Sequence, residues 1–186
     1  MISCIEIALK KELRDAEASS LKKKADSYFG INIQEARCIN IVTIESDLDS
    51  HQLEKIKDEI LTNPVTQVSS LKPLDIDFHW CIWVGYRPGV KDNPGATAME
   101  AVKDHLGKNF GVDEGIYTSK RYCLKGDTLV RSDVEKLASE LLSNSIIQQF
   151  KVFSIEKWDK ETGADVKPAK VILDHTPCFE VINIES

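Results

Sequence analysis

The residue types that most often carry chemistry occur in this chain, but their spacing does not assemble a reaction centre. The cysteines and histidines are spread along its whole length: Cys4, Cys38, Cys81, Cys123, Cys178, His51, His79, His105 and His175. No Cys-x-x-Cys or His-Glu-x-x-His spacing occurs, so neither a zinc site nor a redox pair is predicted. No Gly-x-Ser-x-Gly elbow presents a serine nucleophile. We therefore expect no catalytic residue, no metal site and no cofactor.

One stretch, residues 87–95, has residue types suited to binding. A Pro-Gly pair forces a turn, and a helix then begins at a capping aspartate followed by proline, where free backbone N–H groups could receive an anion. This stretch can be interpreted either as a strand-to-helix turn or as a contact site. If it is a contact site, Arg87 supplies charge to a partner carboxylate or a phosphate. The candidate contact residues are Arg87, Gly89, Asp92, Asn93 and Gly95.

Composition excludes several classes of function. The chain has 186 residues and a formal net charge of −6, which argues against a surface that grips a nucleic acid backbone. No apolar run approaches the roughly 20 residues that span a bilayer, and the first residues do not read as a signal peptide. The scattered cysteines are typical of small buried residues in a reducing compartment. We expect a cytoplasmic protein that binds neither nucleic acid nor membrane.

The sequence repeats itself. Segment 53–65 matches segment 134–146 position by position, at an offset of about 81 residues. An earlier block matches at an offset of about 77, pairing Asp15 with Asp92 and Gly30 with Gly107. A short insertion near residues 111–115 accounts for the difference between the two offsets. The chain is therefore predicted to be a tandem duplication.

Each half has the pattern of strand, helix, strand, helix, strand. Apolar residues alternate with polar ones in the first strand of each copy: Ile5, Ile7 and Leu9, then Ile82, Val84 and Tyr86. Asp92 and Pro94 have the spacing of a helix start, and Ser132 and Glu135 have that of a capping box for the last helix. This pattern favours an α+β fold with two ferredoxin-like sandwich units.

The predicted organisation is a first repeat over residues 1–70, a second repeat over 77–156 and an extended tail over 157–186. A unit of about 80 residues buries a modest core and leaves sheet edges that need a partner. The linker around Pro73 is short. We therefore expect the two copies to pack on each other as a fused pseudo-dimer.

Residues 86–95 read Tyr-Arg-Pro-Gly-Val-Lys-Asp-Asn-Pro-Gly, and the helix ending at residues 141–147 reads Leu-Leu-Ser-Asn-Ser-Ile-Ile. In these two stretches the second half resembles the PurS family, the small subunit of phosphoribosylformylglycinamidine synthase. The resemblance covers about residues 78–156 well and 1–70 more weakly, because Lys-Lys-Glu-Leu-Arg-Asp at 10–15 replaces the Pro-Gly-Val turn. Family members are usually half this long and dimeric, so the tandem resembles the N-terminal region of the long single-chain synthase.

The resemblance implies a role without catalysis in de novo purine biosynthesis. In the family, the small subunit docks the glutaminase (PurQ-like) onto the ATP-dependent synthetase (PurL-like) and helps ammonia pass between them. Lys120 and Arg121 stand where the family has a basic strand segment, which makes them further interface candidates. The chain is thus expected to be no enzyme on its own but a component of a ligase that forms a C–N bond.

Two other functions stay open. Paired units of this kind also serve as regulatory modules that bind a small molecule between the copies, and the 87–95 turn is compatible with that role. A self-sufficient enzyme ranks lower, because it would need two convergent polar groups that the sequence does not offer. The sequence leaves open whether tandem units form larger homo-oligomers, and whether the chain is part of a longer synthase.

Overall fold

The structure is a computed structural model that describes residues 1–163 and residue 170. The first half contains β1 (Ile2–Leu9), α1 (Ala16–Phe29), β2 (Glu35–Glu45), α2 (Ser50–Ile56) and β3 (Gln67–Ser70). One π-helical turn, Lys57–Leu61, extends α2. Most of the predicted tail, with Cys178 and His175, lies outside the described residues.

The second half repeats this order of elements. It contains β4 (Trp80–Tyr86), α3 (Asn93–Leu106), β5 (Gly115–Lys125), α4 (Arg131–Leu137) and β6 (Gln148–Ser154). A π-helical turn, Ala138–Leu142, extends α4 just as one extends α2, and a short 3₁₀ turn, Ile155–Lys157, follows β6. Among the described residues, no helix is both long and apolar enough to cross a bilayer.

All six strands form one antiparallel sheet in the order β3-β1-β2-β5-β4-β6. The central strands β2 and β5 pair along their whole length, from Glu35 opposite Lys125 to Glu45 opposite Gly115. The middle pair is Asn40 and Lys120. The fold is therefore α+β, and the two halves are joined strand to strand.

The two halves have the same strand register. Ile5 pairs with Val42 in the first half, and the residues 77 and 80 positions later, Ile82 and Tyr122, pair in the second. The edge strands β3 and β6 are in equivalent register as well. A pseudo-two-fold axis therefore passes through the pairing of β2 with β5.

Equivalent turns follow α2 and α4. The Val65 N–H donates to Oδ1 of Asn63 at 2.9 Å, and the Ile146 N–H donates to Oδ1 of Asn144 at 3.0 Å. An asparagine side chain that bonds its own backbone two residues on stabilises such a turn. The repeat is thus visible in hydrogen bonds as well as in sequence.

The helices cover one face of the sheet and share cores across the halves. Leu21 and Ala25 of α1 pack with Val134 and Leu137 of α4, over strands β4 and β5. A second cluster joins α2 and α3 over β1 and β2. Each half therefore completes the core of the other, because a helix from each covers the same strands.

The face of the sheet without helices is covered by connecting segments. Ile39, Cys81, Trp83 and Cys123 form an apolar cluster there, against which residues of the linker 71–79 and Trp158 pack. Because successive side chains of a strand point to opposite faces, alternate residues of β5 contribute to this cluster and to the helix-covered core.

The predicted capping role of Ser132 is wrong. Helix α4 begins at Arg131, so Ser132 lies inside its first turn. The N-cap is Val130, two residues earlier than predicted, and the preceding Leu129 is buried, with its carbonyl accepting a hydrogen bond from the Trp80 indole N–H at 3.1 Å. Asp92, by contrast, caps α3 as predicted.

Candidate functional site

Arg87 ties the predicted contact turn to the start of β6. Its backbone N–H donates to the Ile147 carbonyl at 2.9 Å, and its Nε–H lies 2.9 Å from the carbonyl oxygens of both Ser145 and Gln148. The Val90 N–H closes the turn onto the Arg87 carbonyl at 3.1 Å. The side chain of Arg87 is exposed and forms no ion pair with any other described residue.

Glycine is required at positions 89 and 95 for two different reasons. Gly89 has φ of +84°, a left-handed conformation that side chains disfavour. Gly95 is buried, and a Cβ there would lie 2.5 Å from the Ile116 carbonyl oxygen. The glycine at 95 therefore allows α3 to approach β5 closely, while Asn93 at the helix start is exposed.

Asp92 uses its carboxylate within the fold. Oδ1 accepts the Gly95 N–H at 2.8 Å and the Thr118 hydroxyl at 2.9 Å, and Oδ2 accepts the Thr118 N–H at 2.5 Å. The aspartate thus supplies the anion that the start of α3 would otherwise receive from a ligand. It fastens the helix to strand β5.

Lys120 and Arg121 point to opposite faces of the sheet. Lys120 lies on the helix-covered face, where its Nζ bonds Oε2 of Glu17 at 2.7 Å. The Tyr122 hydroxyl donates to Oε1 of the same carboxylate at 2.5 Å. Burial opposes ionisation of Glu17, but the hydrogen bonds from Lys120 and Tyr122 outweigh it and hold the pKa of Glu17 below its ordinary value.

Arg121 is fully buried on the other face. It forms an ion pair with Glu6 at 2.5 Å and donates to the Leu74 carbonyl at 3.2 Å. The Trp158 ring centroid lies 4.6 Å from its guanidinium carbon. Arg121 therefore connects the sheet to the linker and to the segment after β6, and it presents no surface to a partner.

A cleft of about 490 Å³ opens on the helix-covered face beside the pseudo-two-fold axis; we call it the dyad cleft. Asn40 and Lys120 contribute to its floor, although Asn40 is exposed in the middle of a central strand. The cleft is also lined by Val84, Tyr86, Pro94, Leu142 and Gln148. The cleft borders the 87–95 turn, so the structure brings Lys120 and that turn to one place.

The residues that line the dyad cleft come mostly from the second half. Glu17 occupies the position in the first half that Pro94 occupies in the second, since both lie two residues after the capping aspartate. The Glu17 side chain reaches across to Lys120 and Tyr122, whereas Pro94 has no polar group to do so. Sequence reasoning missed Glu17 and Asn40; the repeat offset was the signal that could have found Glu17.

A second cavity, of about 640 Å³, has Thr43, Trp83 and Tyr117 among its lining residues. Lys72 and Glu161 also line it and form an exposed ion pair at 2.7 Å. Its size lies within the range of small-molecule pockets.

Burial raises the pKa of three of the described thiols, those of Cys4, Cys38 and Cys81. Burial and the nearby Glu17 carboxylate raise the pKa of Cys38, and burial and the neighbouring Cys123 raise that of Cys81. Cys123 is itself buried, beside Arg121. Within residues 1–163 and 170, no three cysteine, histidine or acidic side chains gather in a way that could hold a metal ion.

No family model matches the sequence, and no curated protein matches it.

Proposed function

We propose that the chain is a PurS-like assembly module of phosphoribosylformylglycinamidine synthase. In this role it bridges a glutaminase and an ATP-dependent synthetase in the cytoplasm and assists ammonia transfer between them. Each half acts as one ferredoxin-like unit, and the tandem takes the place of a dimer of small subunits.

The observation that carries this proposal is the common register of the two halves, joined through β2 and β5. A subunit half this long that dimerised through its second strand would form the same six-stranded sheet. Fusion replaces the encounter of two subunits by an intramolecular one, at an effective concentration of about millimolar. The likeness of residues 86–95 to the PurS turn supports the choice of family.

The polar groups of the chain support a binding role over a catalytic one. Asp92, Glu17 and Glu6 each use their carboxylate within the fold, as N-cap or ion-pair partner. Arg87 is the candidate residue whose charge stays uncompensated among the described residues. A rigid turn with a free cation is suited to recognition of a partner.

The test is reconstitution of the synthase from its synthetase and glutaminase subunits, with and without this chain. We expect glutamine-dependent amidine synthesis to be lost without the chain, while ammonia-dependent synthesis persists, because ammonia needs no docked glutaminase. Equal glutamine-dependent rates with and without the chain would contradict the proposal.

A second candidate function is a regulatory module that binds a small molecule, which the 640 Å³ cavity favours. A thermal-shift screen against amino acids and purine nucleotides separates the two functions. A ligand that raises the melting temperature by several degrees would favour regulation, because binding to the folded state alone stabilises it.

A further inference from the structure

We infer that the dyad cleft, together with Arg87, is the docking site for an extended acidic segment of a partner polypeptide. The segment places one large apolar side chain in the cleft and a neighbouring carboxylate on the Arg87 guanidinium. This inference rests on the proposed function and specifies where a partner subunit binds and what chemistry its segment presents.

The acids near the cleft make their contacts within the fold, and Arg87 is left as a cation without an acidic partner among the described residues. Glu17 is paired with Lys120, and the Asp92 carboxylate is bonded to Thr118 and to the start of α3. Arg87, next to the lining residues Tyr86 and Gln148, has no acidic partner among the described residues. A carboxylate is thus the complementary group, although the chain as a whole carries a net charge of −6.

The first half shows which hydrogen bonds a residue at the position of Arg87 makes for structural reasons alone. Lys10 is its counterpart, and the Lys10 Nζ donates to the Pro64 carbonyl at 2.7 Å as the Arg87 Nε–H donates to Ser145. The backbone N–H of Lys10 also makes the equivalent bond, to Thr66. Arg87 meets this structural need with Nε alone, which leaves both Nη atoms for the bidentate geometry that carboxylates prefer.

The cleft has an apolar lining, with hydrogen-bonding groups on its floor. Val84, Pro94 and Leu142 supply apolar surface, and Tyr86 adds an aromatic ring. Asn40 presents an exposed amide that can both donate to and accept from a peptide group. A volume of about 490 Å³ holds one or two side chains, so the occupant is a short segment and not a folded domain.

The test measures the affinity of the chain for the purified synthetase and glutaminase subunits by calorimetry. Arg87→Glu reverses the free charge, and Asn40→Trp fills the cleft from an exposed position. We expect each to weaken binding to one subunit about tenfold or more. Lys10→Glu is the matched control in the first half, and it should leave the affinity unchanged.

A fourth variant separates binding from folding. Arg87→Lys reproduces the first half, keeps the charge and the bond to Ser145, and loses the bidentate contact. We expect an intermediate loss of affinity with an unchanged melting temperature. Wild-type affinity in both Arg87→Glu and Asn40→Trp would overturn the site and leave the proposed function intact. A wild-type chain that binds neither subunit would contradict the function itself, and with it the site.

Hydrogen exchange of the complex gives a readout that needs no variant. Protection on binding should appear in residues 86–95 and 144–148. Protection confined to the equivalent first-half segments, 9–18 and 63–67, would overturn the assignment.

Discussion

The first and second halves of the chain share their hydrogen bonds and differ in the side chains that meet near the axis. Asp15 caps α1 and accepts the Cys38 N–H, as Asp92 caps α3 and accepts the Thr118 N–H. The buried ion pair of Glu6 and Arg121, however, has Trp83 and Ile41 at the equivalent positions. The groups that hold each half together are thus the same in both halves. Positions near the axis differ, because each position occurs once in each half and one copy can change independently of the other.

We expect the largest loss of stability from breaking the ion pair between Glu6 and Arg121. Arg121→Ile, which introduces the first-half residue, leaves the Glu6 carboxylate buried without its partner. We expect a loss of about 3–5 kcal/mol in the free energy of unfolding, measured with urea. The double variant Glu6→Leu with Arg121→Ile should be clearly more stable than the single one, since no charge then remains buried. A double variant no more stable than the single would contradict this account.

Gly95→Ala tests the closer approach of helix to strand in the second half. Ala18 occupies the equivalent position in α1 and is buried without difficulty, but a Cβ at 95 would lie 2.5 Å from a carbonyl oxygen. We expect a loss of about 1–3 kcal/mol in urea unfolding. The control is Gly111→Ala, where the nearest atom would lie at 3.6 Å. Equal stability of the two variants would show that α3 shifts without cost.

The two capping aspartates should behave alike. Asp15→Ala and Asp92→Ala each remove a cap and a bond to a strand N–H, so each should cost about 1–2 kcal/mol in thermal or urea unfolding. Their losses should add, because the two sites share no partner. A large loss from one and none from the other would break the equivalence of the halves.

Glu114 tests the insertion that only the second half contains. Its carboxylate bonds the Ser46 hydroxyl and the N–H groups of Gly111 and Asp47, which lowers its pKa from 4.5 to about 2. A lowered folded-state pKa stabilises the protein above pH 4.5, and this contribution is lost as the pH falls towards about 2. Glu114→Gln should therefore flatten the stability profile between pH 5 and 3. An unchanged slope would contradict the assignment.

The sequence predicts the helices and strands of this fold better than it predicts which side chains come into contact. Strand alternation and the cap at Asp92 follow from local patterns, because they depend on neighbours in the chain. The pairing of β2 with β5 and of Glu6 with Arg121 joins residues far apart, so no local pattern announces them. The separation of Lys120 from Arg121 follows from the strand period, and grouping them as one basic segment overlooked it.

The central claim is that this chain bridges two subunits, and size-exclusion chromatography with light scattering tests it most directly. The synthetase and glutaminase subunits are mixed with and without the chain, and the masses of the eluted species are compared. Our account predicts one species with the mass of all three proteins, which disappears when the chain is omitted. A synthetase–glutaminase complex that forms equally well without the chain, from which the chain elutes separately, would contradict it.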